Sequence, residues 1–212
     1  MSSAGNRTLW RFLLCFALTY ALLILPWPGF PAAYHSFFRL LLRAAFAPGN
    51  GPRELGFNSL KPEHGRSLVR IEITNRTLMA PDGSGPVRNL VVDTGGFWRA
   101  TALLLALIVV TPVAWRRRIS AVLSGCLWLH GGILLIVGFS IWNESRHVSL
   151  VLLSPFWQTL ADRIQRMLLS GLNLAAPVLL WMLVTFRRED FAGMKLWLPG
   201  GLAFPPNPVR PG

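Results

Sequence analysis

FWRATALLLALIVVTPVAWRRRISAVLSGCLWLHGGILLIVGFSIW, running from Phe97 to Trp142, is the stretch on which the fold turns. It holds two apolar runs, Phe97–Trp115 and Ile119–Trp142. Each is close to the ~20 residues that cover the hydrocarbon of a bilayer. Between them stand Arg116, Arg117 and Arg118, and Trp98, Trp115 and Trp142 mark the ends. Tryptophan favours the interface because its ring is amphipathic, and arginine in a short loop marks the cytoplasmic side. The pattern predicts two transmembrane helices joined by an Arg-rich cytoplasmic turn.

Composition agrees with a chain that spends much of its length in lipid. Of 212 residues, 52% are hydrophobic and only 14% charged, with a mean hydropathy of +0.45. Soluble domains carry roughly a quarter charged residues. The formal charge is nevertheless +12, from 21 Lys+Arg against nine Asp+Glu. Nucleic-acid binding would need those cations on one accessible surface. Here they sit beside apolar runs, with no recognisable nucleic-acid module, so lipid is the expected partner and nucleic acid is not. Cys15 and Cys126 both lie inside apolar runs without a C-x-x-C neighbour, which suggests neither a disulfide framework nor zinc.

Working outward towards the N-terminus, residues 1–30 read as a first transmembrane helix with Arg7 and Arg11 on its cytoplasmic flank. A signal peptide is the alternative, but Phe12–Trp27 reaches or exceeds the usual apolar length and lacks a clean small-x-small site. Residues 31–47 place His35, Arg39 and Arg43 on one stripe of an otherwise greasy helix. That predicts an interfacial helix whose arginines reach the headgroups. Residues 48–96 read as an extracytoplasmic loop carrying a β-hairpin. Val69, Ile71 and Ile73 alternate with polar neighbours, Pro81–Gly85 supplies a turn, and Val87–Val92 a second strand.

Beyond Trp142, Ser154-Pro155 opens a second interfacial helix, with Trp157 on its apolar face and Arg163 and Arg166 on its polar one. It runs into a fourth span that Arg187 and Arg188 terminate, so residues 143–186 hold both helices and 187–212 form a Pro/Gly-rich cytoplasmic tail. The expected fold is therefore mainly α and integral to a membrane. It has four transmembrane helices, two interfacial amphipathic helices and a small extracytoplasmic β element. Arg7, Arg11, Arg116, Arg117, Arg118, Arg187 and Arg188 fix the topology and touch lipid headgroups, with both termini cytoplasmic.

Two features could carry chemistry or assembly. Cys126 and His130 are four apart on one helical face, which is the start of a nucleophile–base pair. No orienting third group or oxyanion donor can be assigned, so a packed, hydrogen-bonded His130 is the stronger reading. A metal or haem site on His130 would need a second ligand from His35, His64 or His147, all expected outside the bilayer or at its outer face. No cofactor is expected. Gly125, Gly131, Gly132 and Gly138 form a small-residue surface that lets another helix approach closely, within the chain or from a partner. The N-x-S/T triplets at Asn6, Asn75 and Asn143 would matter only in a eukaryotic secretory setting.

Ala102–Leu107 running into Thr111-Pro112 and Arg116–Arg118, with Pro177–Trp181 and Phe186–Arg188, resembles the small bacterial membrane proteins associated with exosortases. The similarity covers about a third of the chain, at the level of hydropathy. It implies an envelope accessory protein encoded beside a sorting peptidase. Cys126 stands in Leu123-Ser124-Gly125-Cys126-Leu127, which departs from the peptidase pattern, so no catalytic role carries over. The expected function is a non-catalytic accessory or assembly subunit in the bacterial inner membrane, bound to another membrane protein or to its own copies. An intramembrane cysteine enzyme using Cys126 and His130 is the alternative.

Overall fold

Pro112 divides the deciding stretch unequally. In a computed structural model of the chain, the helix before it, α3, is Thr94–Val110, and the helix after it, α4, is Trp115–Ser145. Ahead of them lie α1 (Ser3–Ile24), α2 (Phe30–Phe46), β1 (Arg53–Ser59), β2 (Leu68–Asn75) and β3 (Val87–Asp93), and behind them α5 (Pro155–Gly171) and α6 (Ala175–Thr185). The structure describes residues 3–25, 27, 29–46, 53–60, 67–82, 84–171 and 175–186.

Four transmembrane helices are not what forms. Among the described residues one helix, Trp115–Val148 with its closing 3-10 turn, is long and apolar enough to cross a membrane. The others stop short for local reasons. Proline cannot donate the next helical bond and disfavours helix in the residue before it. Accordingly α3 ends at Val110, where Thr111 turns to extended backbone ahead of Pro112. The apolar part of α1 is Trp10–Ile24, which closes before Pro26. Of the expected fourth span, residues 168–171 lie in α5 and 175–185 form α6, while residues 172–174 lie outside the described residues. The orientation counted from four spans therefore lacks that count. Arg187 and Arg188 lie outside the described residues.

The sheet is a three-stranded antiparallel meander in the order β1-β2-β3, one strand more than a hairpin. Leu55 pairs with Ile73 and Phe57 with Ile71 across β1–β2, and Val69 faces Val92 across β2–β3. Alternation puts these side chains on one face. That face joins Phe38, Leu42, Leu104, Ile108, Val137, Ile141 and Val148 in a single core. The sheet, too small to bury much apolar surface alone, is thus completed by the helices. Asp93 ends β3 and starts α3, its Oδ1 accepting from the Gly95 amide at 2.9 Å as an N-cap.

α3 is the central helix, packed by α1, α2, α4 and α6. Its interior is small and apolar, with Ala100, Ala102, Leu104, Ala106 and Ile108 buried. Small side chains let neighbours approach closely.

Candidate functional site

α4 carries every ionisable group expected to matter inside the bilayer. His130 Nδ1 lies 2.9 Å from the carbonyl oxygen of Cys126, one turn back. A carbonyl only accepts, so Nδ1 bears the proton and Nε2 offers its lone pair. Tyr34 of α2 donates its hydroxyl proton to that Nε2 at 3.3 Å, with Thr101 Oγ1 at 3.4 Å from the same oxygen. Thr101 itself donates to the Phe97 carbonyl. Both imidazole nitrogens are therefore occupied, and the Cys126 thiol makes no hydrogen bond among the described residues. The spacing brings Cys126 and His130 together through backbone, leaving the thiol without a base.

The arginine triplet divides by role. It lies in the first turn of α4, and the turn between the helices is Thr111–Ala114. Arg117 Nη2 donates to the Thr185 carbonyl at 2.8 Å, and Arg118 Nη2 to the Thr111 carbonyl at 3.1 Å. Each binds an end carbonyl that its own helix leaves unpaired, α6 in one case and α3 in the other. Trp181 adds an indole N–H to Thr111 Oγ1 at 2.9 Å. Arg116 is exposed, as a headgroup contact requires, and so is Arg11 on α1.

The opposite end of α4 is polar and buried. Asn143, 1% exposed, donates from Nδ2 to Asp162 Oδ1 at 3.0 Å and to Gln165 Oε1. Arg146 Nη2 reaches Asp162 Oδ1 at 2.7 Å. The Arg146 hydrogen bond, followed by that from Asn143, holds the Asp162 carboxyl below the usual aspartate range. On the sheet side, Arg88 of β3 pairs with Glu144 at 2.8 Å. So α5 meets α4 through Ala161, Asp162 and Gln165, while Phe156, Trp157, Ile164 and Met167 are exposed, beside exposed Arg163 and Arg166. Asn75 and Asn143 are both buried and bonded, which removes them as glycosylation acceptors.

α2 behaves differently from the expected headgroup helix. Its cationic stripe lies on β1: Arg39 Nη1 donates to Ser59 Oγ at 3.0 Å and Arg43 Nη2 to the Phe57 carbonyl at 3.3 Å. His35 completes the clasp, with Nε2 at 3.0 Å from Ser59 Oγ and Nδ1 at 3.1 Å from Thr94 Oγ1. Desolvation, and then the neighbouring Arg39 charge, push the imidazole below the ordinary histidine value. Ser59, Thr94 and Tyr34 have no signal in the sequence, because their partners lie on other elements.

The glycines split as well. A Cβ on Gly125 would meet Leu104 and Ile108 at 3.3 and 3.4 Å, and one on Gly138 would meet the Phe46 ring at 3.1 Å. Gly131 and Gly132 have nothing within 4 Å. They floor an apolar groove of about 710 Å³ between the end of α2 and α4, walled by Trp128, Leu135, Phe139 and Trp142. The chain matches no protein-family model, no curated protein and no solved structure.

Proposed function

We propose that the chain is a membrane-anchored accessory subunit, held in the bilayer by α4 and contacting a second membrane protein or its own copy through the Gly131–Gly132 groove. One observation carries this reading: α4 and α5 expose large apolar side chains around a buried polar contact. Leu127 and Leu135 are 73% and 77% exposed while Asn143 is 1% exposed. Water penalises exposed apolar surface of this extent, and lipid does not. Glycine without a neighbour on such a helix leaves room for another backbone to approach. The engaged nitrogens of His130 support a role that routes no chemistry through Cys126. The resemblance to exosortase-associated proteins supports bacterial envelope protein sorting as the setting.

The test uses the full chain with Cys15→Ser and Cys126→Ser, and a new cysteine at Leu135. The protein is expected to stay with membranes through an alkaline carbonate wash, and L135C, carrying a thiol-attached photo-crosslinker, to cross-link to a second subunit. Recovery in the wash overturns the anchor. An uncrosslinked monomer overturns the subunit reading.

A further inference from the structure

We propose that Ser59, His35 and Thr94 form a hydrolytic site acting on carboxylic esters: a nucleophile, its general base and the group that orients the base. This goes beyond the accessory reading and does not rest on it, since neither α4 nor the groove takes part.

Hydrogen-bond direction makes the case. Thr94 Oγ1 gives its proton to the Ser67 carbonyl at 2.8 Å, so towards His35 it can only accept. Nδ1 of His35 therefore carries the ring proton, donated to Thr94 at 3.1 Å. That leaves Nε2 as the acceptor facing Ser59 Oγ at 3.0 Å, so the serine hydroxyl donates to it. The sequence nucleophile, base, orienting group is then set in the direction that proton abstraction requires, within hydrogen-bond reach at both steps. Thr94 is buried and Ser59 exposed, so the orienting group is fixed in the core while the nucleophile is accessible. Thr94 is a positioning residue; it touches no reacting atom.

Arg39 Nη1 donates to the same Ser59 oxygen at 3.0 Å. Ser59 Oγ thus gives one proton and accepts one, keeping a lone pair free for attack. The guanidinium also sets positive charge where a carbonyl oxygen becomes an oxyanion. Desolvation, and then its field, hold His35 below the ordinary histidine value, so the base is neutral at neutral pH.

The reaction balances with water alone. Ser59 Oγ bonds to the ester carbon as its proton passes to His35 Nε2. The tetrahedral intermediate collapses, the bond to the alcohol oxygen breaks, and His35 returns the proton to that oxygen. Water then attacks the acyl-serine, losing a proton to Nε2. The carboxylic acid leaves and Ser59 regains its hydrogen. An ester fits better than an amide, because an alcohol leaves more readily than an amine where a single fixed cation steadies the oxyanion.

The test uses the purified full chain in detergent, a fluorophosphonate probe and p-nitrophenyl butyrate. The probe is expected to label Ser59, located by peptide mass spectrometry. Ester hydrolysis should fall at least ~100-fold in His35→Gln, the scale of general-base catalysis. Thr94→Val should lower kcat with KM unchanged, and the rate should rise with a midpoint below the ordinary histidine value of 6.5. His35 also ties α2 to the sheet, so Ser59→Ala, at an exposed position, is the deciding variant. Hydrolysis by Ser59→Ala at the wild-type rate, or labelling of a different serine, overturns the proposal. So does the absence of labelling in folded protein.

Discussion

His130 donates from Nδ1 to the backbone oxygen of Cys126 at 2.9 Å, and nothing on that ring turns to the thiol. The Cys126 side chain can therefore change without touching the bond. Cys126→Ser should leave thermal stability in detergent within a few tenths of a kcal/mol, the usual range for a substitution that removes no such contact. Tyr34→Phe should do more, because it leaves Nε2 without its donor at a partly buried site. A loss of about 1 kcal/mol is expected, the net worth of an ordinary hydrogen bond. Differential scanning fluorimetry on the two variants checks the order, and Cys126→Ser proving the more damaging would contradict it.

Asn143 is the hinge between α4 and α5. Its amide nitrogen serves two acceptors, Asp162 and Gln165, from a position with almost no exposure. Replacement by Leu keeps the volume, strands the Gln165 acceptor and leaves Asp162 Oδ1 to Arg146 alone, at a cost of about 1–3 kcal/mol. The consequence is local: α5 should loosen from α4 while the sheet stays folded. Limited proteolysis is expected to cut between Ser149 and Pro155 faster in the variant, with the α3–α4 fragment intact.

Acid should loosen the same junction. The Asp162 carboxyl is held below its ordinary value of 3.8, first by the Arg146 hydrogen bond and then by Asn143. A depressed carboxyl pKa contributes stability that is fully present above the unfolded value and lost as pH falls through the folded one. The α4–α5 contact should thus hold at pH 5 and weaken below pH ~4. Glu54 and Asp82 are also depressed and titrate in the same acid range. Asp162→Asn separates them: it should weaken the junction at neutral pH and remove its acid sensitivity. Pepsin cleavage between Ser149 and Pro155 follows the step, and an unchanged acid midpoint in Asp162→Asn would exclude this carboxyl.

What the sequence made legible was local. α5 starts at the Ser154-Pro155 signal, and β2 shows the alternation of Val69, Ile71 and Ile73 in its burial. An apolar run overstates helix length because it ignores where backbone bonding stops, as at Thr111-Pro112. β1 was hidden by the Gly, Pro and Asn around it, although Leu55 and Phe57 alternate across Gly56. Arg39 and Arg43 suggested headgroups because their acceptors on β1 are 20 and 14 residues away. The His35 clasp joins residues 24 and 59 apart, and no spacing rule can anticipate such a meeting.

The glycines of α4 give the sharpest contrast. A side chain at Gly125 enters space already held by Leu104 at 3.3 Å, Ile108 at 3.4 Å and Val184 at 3.6 Å. Gly125→Leu must push α3 and α6 away, and overpacking of a tight core costs about 1–3 kcal/mol. Gly131 has open space where its Cβ would stand. Gly131→Leu should therefore keep the fold, and even gain a little, since glycine inside a helix is about 1 kcal/mol poorer than alanine. The same leucine fills the groove beside Trp128 and Leu135. A monomer would register only the stability gain; a subunit would lose its partner. Size-exclusion chromatography with light scattering in mild detergent distinguishes them, and the expected result is a stable Gly131→Leu protein that no longer co-elutes with its second subunit.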